Sequence, residues 1–136
     1  MISSSREDYI HSIYRLTRKQ VSTSSVALAN KLGVSRPSVS EMLRKLQADD
    51  FIIFDENRIS LTGKGEAYAA EIAAAHSVWE VFLIDRLGLP MEAAHKYAHK
   101  LEHITDAPLY QALENYLDET QNFDRMETAS NELDRT

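Results

Sequence analysis

The chain of 136 residues, 43% hydrophobic and 26% charged, is long enough for one full core or for two small domains leaning on each other or on a partner subunit. The absence of cysteine excludes disulfides, thiolate nucleophiles and cysteine-based zinc or iron–sulfur sites, and fits a cytoplasmic protein. The net charge of -6 is unevenly divided: residues 1–75 carry ten Lys/Arg against nine Asp/Glu, whereas residues 76–136 carry five against twelve. Residues 15–45 hold seven basic groups against the single acid Glu41, a local field suited to phosphates, while the acidic second half suits cations. No secretory signal is expected, because the first eight residues lack a basic segment followed by an apolar one. No membrane span is expected either, since the apolar stretch from Ala67 to Ile84 is interrupted by Glu71, His76, Ser77 and Glu80.

The first helix is predicted from Ser5 to about Lys19, with Ser5 and Asp8 as a capping-box-like start and Ile10, Ile13, Tyr14 and Val21 on the apolar side. Asp8 and His11 are three residues apart and point the same way; taken alone they read as a surface cap and a surface histidine. Thr23-Ser24-Ser25 precedes a short helix from Val26 that ends at Gly33, a residue suited to the left-handed position after a helix. Ser35 caps a third helix reaching about Asp50, and Pro37 is tolerated in its first turn, where the missing amide has no intrahelical acceptor. Val39, Met42, Leu43 and Leu46 face inward, leaving Arg36, Ser38, Ser40, Arg44 and Lys45 outward. Two short helices around a Gly turn, the second serine-rich and basic, form a helix-turn-helix pattern. Phe51–Phe54, a turn over Asp55-Glu56-Asn57-Arg58 and the returning Ile59–Leu61 make a wing.

Thr62 caps a long helix over Gly63–Leu87, in which Gly63 and Gly65 weaken the first turn but permit close packing against the hairpin. Apolar side chains surround its C-terminal end, which points to a subunit interface; Trp79 and Phe82 could also mark a hinge between domains. Gly88 ends this helix, and Pro90 opens another over Met91–Thr105. Asp106-Ala107-Pro108 breaks it, and Leu109–Asp118 forms one more amphipathic helix. Residues 121–136, polar and acidic without a sustained period, are expected to be an irregular or mobile tail. The fold class is therefore mainly α: a winged helix-turn-helix of three helices plus a hairpin over residues 1–70, then an all-helical metal-binding and dimerisation domain over 71–120.

Three of the five histidines, His95, His99 and His103, stand at i, i+4 and i+8 with Glu102 beside the last, all within an arc of about 100° on one helix. His76 and Glu80 are likewise at i, i+4. Every histidine has a histidine or carboxylate three or four residues away, the intervals at which one helix offers imidazole and carboxylate to a first-row divalent ion. A lone histidine is usually a surface or core-edge residue; it is the shared spacing that favours a metal.

The sequence resembles the metal-dependent transcriptional repressors that include the diphtheria toxin repressor and the bacterial manganese transport regulator. The likeness runs from about Glu7 to Asp118. It is carried by Glu7-Asp8-Tyr9-Ile10 with Ile13-Tyr14, Val34-Ser35-Arg36-Pro37-Ser38-Val39, Leu61-Thr62-Gly63-Lys64-Gly65 and the Glu102-His103 pair. The resemblance implies an ancillary metal site of His76, Glu80 and His95, and a primary site of Asp8, His99, Glu102 and His103 with His11 beside Asp8. Manganese-type members share Asp8 but have carboxylates where this chain has His11 and His99; iron-type members have Met and Cys at positions 8 and 99. Some relatives add an SH3-like domain, which is not expected here. The implied function is a homodimeric repressor, activated by divalent metal, that binds palindromic operator DNA and controls metal uptake or homeostasis genes.

Nitrogen and oxygen donors accept Mn(II), Fe(II), Co(II) or Zn(II), with Mn(II) or Fe(II) favoured by the resemblance and up to two ions per subunit, sharing a carboxylate. Ser35, Arg36, Pro37, Ser38 and Ser40 are the candidates for base contacts; Thr23, Ser24, Ser25, Arg44, Lys45 and Arg58 are those for phosphates. Two rivals stand beside this reading. A winged-helix repressor could use its histidines structurally or to sense protons, and a small metallohydrolase would use the same donor types, although the His-Glu-x-x-His motif is absent.

Overall fold

The computed structural model describes residues 4–20 and 22–134, with side-chain surroundings for 5–20 and 22–120; the apolar contact expected of Val21 and the extreme ends fall outside them. The chain divides into two compact units, residues 1–74 and 75–136.

The first unit contains α1 (Ser4–Lys19), α2 (Ser25–Leu32), α3 (Arg36–Ala48), the hairpin strands β1 (Ile52–Asp55) and β2 (Arg58–Leu61), and the start of α4 (Gly63–Val81). Helix α1 begins at Ser4, so Ser5 lies in its first turn and is not the cap. Ser24 caps α2 by accepting from the Ala27 amide at 3.1 Å, and Gly33 closes it at φ 66°. Ser35 accepts from the Ser38 amide at 3.3 Å, capping α3 with Pro37 in the first turn. Ile10, Ile13, Leu28, Val39, Leu46 and Ile59 are fully buried where these elements meet, each contributing roughly 1.5–3 kcal/mol of transfer free energy.

The hairpin is longer than expected, pairing Ile52 with Leu61 and Asp55 with Arg58, so only Glu56 and Asn57 turn. Both have positive φ, 48° and 62°, which is what a two-residue type I′ turn requires. The hairpin is anchored to the chain before α2 by reciprocal backbone bonds between Thr23 and Ile59, 2.9 and 2.8 Å. Thr62 caps α4, accepting from the Gly65 amide at 3.0 Å. A Cβ on Gly65 would lie 2.1 Å from the Phe51 carbonyl oxygen, so close packing on the hairpin is the reason for this glycine. Nothing lies within 4 Å of the same position on Gly63. Tyr68 donates to Glu7 at 2.6 Å, and ion pairs join Arg6 to Asp49 and Arg18 to Glu66, fixing α1 against α3 and the base of α4.

The second unit holds the end of α4, a π turn (Phe82–Arg86), α5 (Met91–Leu101), a 3-10 turn (Glu102–Ile104) and α6 (Ala107–Asp134). Its small core is Leu83, Ala94 and Ala98, with Trp79, Phe82, Ile84, Leu89 and Leu101 packed around them. The long helix therefore widens before its end, with the Leu87 amide bonded to the Phe82 carbonyl at 3.3 Å, and Gly88 reverses the chain at φ 70°. By length and mean hydropathy, 1.2 over 18 residues, the segment Gly63–Arg86 is apolar enough to cross a bilayer; 28% of that window is buried. Alanines supply much of this character, and His76 and Glu80 lie within it.

Helix α6 corrects the expectation of an irregular tail from Gln121, because it continues to Asp134. After Pro108 this stretch contains no proline or glycine, and Met, Ala, Glu, Gln and Arg are good helix formers, so nothing stops propagation once the first turn exists. Asp106 supports that turn by accepting from the Leu109 amide at 3.0 Å.

Candidate metal centre

Six of the eight predicted ligands lie in the second unit and form one connected group. His76 on α4 is buried, at 5% exposure. Its Nε2 lies 2.9 Å from Glu80 Oε1 and 3.2 Å from His95 Nδ1, and His95 Nδ1 is 2.7 Å from the same Glu80 oxygen. The other edge of the ring, Nδ1, is 2.8 Å from Glu102 Oε2. Glu102 Oε1 in turn lies 3.0 Å from His99 Nδ1 and 3.9 Å from His103 Nε2. The rings pair edge to face, His76 with His95 at 4.8 Å and His99 with His103 at 5.4 Å between centroids.

The helical spacing put His95, His99, Glu102 and His103 on one face. The structure divides them, because α5 tightens into the 3-10 turn after Leu101. Glu102 turns inward with its side chain fully shielded, while His95 and His99 stay half exposed. The contact between His76 and Glu102, 26 residues apart, links the two ligand sets through one carboxylate.

The donor set suits a divalent cation. Two imidazole nitrogens 3.2 Å apart and sharing a carboxylate oxygen need a proton or a cation among them. The ligand atoms of His76, Glu80 and His95 lie within 4.8 Å of one another, as do those of His99, Glu102 and His103. Ligands each bound at about 2.0–2.2 Å lie at most about 4.4 Å apart across a shared ion, so small side-chain rotations would close either group. Electrostatics agree. The hydrogen bond with Glu102 raises the His76 pKa, against the desolvation that lowers it and with further help from Glu80. Desolvation pushes Glu80 up, but hydrogen bonds with His95 and His76 outweigh it and hold the carboxylate below its usual range.

Asp8 and His11 belong to the first unit, on α1. Asp8 is half-buried. His11 is buried at 7% exposure and not at the surface, and its Nε2 accepts from Arg15 Nε at 3.2 Å. Of the DNA-contact candidates, Ser35, Arg36, Pro37, Ser38, Ser40, Arg44, Lys45 and Arg58 are all exposed. Thr23, Ser24 and Ser25 are half-buried and partly committed: Thr23 through its backbone to Ile59, Ser24 as a cap, and Ser25 by a 2.9 Å bond to Asn57.

Comparison with known proteins bears on this arrangement. Residues 1–58 match the family described as iron dependent repressor, N-terminal DNA binding domain, and residues 62–125 match its metal binding and dimerisation domain. The chain belongs to the family of iron-dependent repressors. Its likeness to the HTH-type transcriptional regulator MntR of Bacillus velezensis is 31% identity over 104 residues, 76% of this chain and 72% of that protein. The iron-dependent repressor IdeR of Mycobacterium leprae is 33% identical over 99 residues, 72% of this chain, which spans only 43% of IdeR. The structure of the manganese regulator SloR superposes with a TM-score of 0.73 at 33% identity, covering 83% of this chain and 53% of that one. Iron-dependent repressors are transcriptional regulators and not enzymes, which removes the metallohydrolase reading, and the winged helix-turn-helix followed by an all-helical unit is their architecture.

Proposed function

We propose that this chain is a homodimeric repressor that binds palindromic operator DNA when loaded with Mn(II) or Fe(II), and that it controls genes of metal uptake or homeostasis in the cytoplasm. The observation that carries the reading is the buried Glu102 carboxylate, with one oxygen toward His76 and the other toward His99 and His103. In this reading His76, Glu80 and His95 hold one ion. His99, Glu102 and His103 hold a second together with Asp8, with His11 beside it. The two divalent cations would supply the positive charge that offsets these carboxylates, one ion at Glu80 and the other at Glu102 and Asp8. Because Asp8 and His11 sit on the DNA-binding unit and the remaining ligands on the helical unit, occupancy favours the arrangement of units in which both ligand sets engage. It shifts the population only by its difference in affinity for the competing arrangements.

The exposed large apolar residues Leu87, Met91, Tyr97, Ile104, Leu109 and Tyr116, all in the helical unit, support a subunit interface there. Two copies would then present α3 to successive major grooves, roughly 34 Å apart. Ser35, Arg36, Pro37, Ser38 and Ser40 would read base edges, and Arg44, Lys45, Arg58 and the Thr23-Ser24-Ser25 segment would bind phosphates. Mn(II) and Fe(II) are favoured over Zn(II) and Co(II) because relatives are named for manganese and iron. The nitrogen-rich donor set itself accepts all four.

The test is operator binding at controlled free Mn(II), Fe(II), Co(II) and Zn(II), with wild type beside Asp8→Ala, His99→Ala and His103→Ala. Wild type is expected to gain at least about 10-fold in operator affinity with Mn(II) or Fe(II), about 1.4 kcal/mol, and each variant to lose that gain. Equal, metal-independent binding by all four proteins would overturn the switch in favour of a metal-independent or proton-sensing repressor.

A further inference from the structure

We propose that Trp79 and Thr105 form a neutral clamp that positions the Glu102–His103 turn against the His76–Glu80 stretch of α4, and so sets the geometry of both donor groups. Trp79 stands on α4 three residues after His76 and directly before Glu80. Its indole Nε1–H donates to Thr105 Oγ1 at 2.7 Å, and the Thr105 hydroxyl donates to the Leu101 carbonyl at 2.5 Å. Leu101 and Thr105 bracket the 3-10 turn that carries Glu102 and His103. A hydroxyl has one proton to give, and Thr105 gives it to the end of α5 while receiving the indole proton, so both roles are fixed. The Leu101 carbonyl it reaches is the one that opens the 3-10 turn, for which Leu101 is the N-cap.

The indole is itself held in place. It meets the Phe82 ring edge-on at 5.8 Å, and Phe82 meets Tyr116 of α6 at 5.9 Å. The π turn, backed in turn by α6, thus supports the side chain that grips the ligand turn. The His76–Glu102 bond spans the same gap, yet it joins two ionisable groups whose attraction depends on what else they bind. The Trp79–Thr105 bond is uncharged at both ends and holds whatever the charge at the centre, a preorganising role of the kind outer-shell groups have at metal sites. Neither residue offers the donor type of a first-row divalent site, so both are positioning residues and not ligands.

This inference rests on the metal-binding reading, and its test separates the two. Full-length wild type, Thr105→Val, Thr105→Ser and Trp79→Phe are titrated with Co(II), following the visible ligand-field bands for geometry and calorimetry for affinity, after metal-free melting has been measured for each. Thr105→Val and Trp79→Phe are expected to bind Co(II) about 10-fold or more weakly with altered bands, whereas Thr105→Ser keeps wild-type affinity and spectrum. Wild-type affinity and bands in both Thr105→Val and Trp79→Phe would overturn the clamp alone, as would Thr105→Ser as weak as Thr105→Val. Should Thr105→Val fail to fold, Trp79→Phe against Thr105→Ser decides on the same criteria. A wild type that takes up no Co(II) would overturn the clamp and the metal reading together.

Discussion

The Glu102 side chain is fully shielded from solvent, and each of its oxygens faces an imidazole. A carboxylate in such a place is costly unless compensated, so the histidines are its compensation whether they carry protons or share a cation with it. The pH dependence of the metal-free protein follows. The His76 pKa is raised above its ordinary 6.5, chiefly by the hydrogen bond with Glu102, so its stabilising contribution is complete below that value and is lost as pH rises through the raised one. Melting temperatures of metal-free protein should fall from pH 6.5 upward, and fall less in His76→Gln; identical profiles for the two would contradict the assignment. Glu80, held low by His95 and His76 against desolvation, contributes above its ordinary 4.5 and loses that contribution as pH falls through the depressed value. The residue types of the centre were legible in the sequence, because histidine and carboxylate recur there at helical intervals. The His76–Glu102 contact was not, since helical periodicity reports which face a residue occupies on its own helix and carries nothing about the partner 26 residues away.

Elements show the same division between local chemistry and tertiary contact. Ser35, Gly33, Thr62 and Gly88 end or begin elements where local chemistry predicts, because capping depends on a few neighbouring atoms. The start of α1, the π turn and the length of α6 depart from what local chemistry predicts. For α6 the polar composition of residues 121–134 hid that nothing in it breaks a helix. The two glycines that open α4 give a sharper test. Gly65→Ala would drive a methyl into the Phe51 carbonyl, a backbone atom that cannot swing aside, and should destabilise the protein by about 1–3 kcal/mol. Gly63→Ala meets nothing within 4 Å and should be neutral or stabilising by up to about 1 kcal/mol. Denaturant unfolding of the pair decides, and equal midpoints would refute the close approach.

At the scale of the molecule, one chain carries a basic stretch that ends in exposed Arg44 and Lys45 and, beyond residue 75, an acidic half that holds six candidate ligands. The net charge of -6 conceals this; the split by halves reveals it, so the overall plan was legible once the balance was taken regionally. What a one-dimensional reading could not supply was how the imidazoles divide between the two oxygens of a single buried carboxylate. Metal linkage provides a global readout. A ligand that binds only the folded state at a free concentration of 100 times its Kd stabilises by about 2.7 kcal/mol. Added Mn(II) or Fe(II) should therefore raise the melting temperature of the helical unit, and a chelator should reverse it. No change in melting on either addition would contradict occupancy of the centre.

Trp79 is the only tryptophan in the chain. Every change in indole emission therefore arises at one known point, between His76 and Glu80, with its N–H held by Thr105 and its ring against Phe82. The protein carries its own optical probe at the candidate centre, so occupancy can be followed in dilute solution without any label.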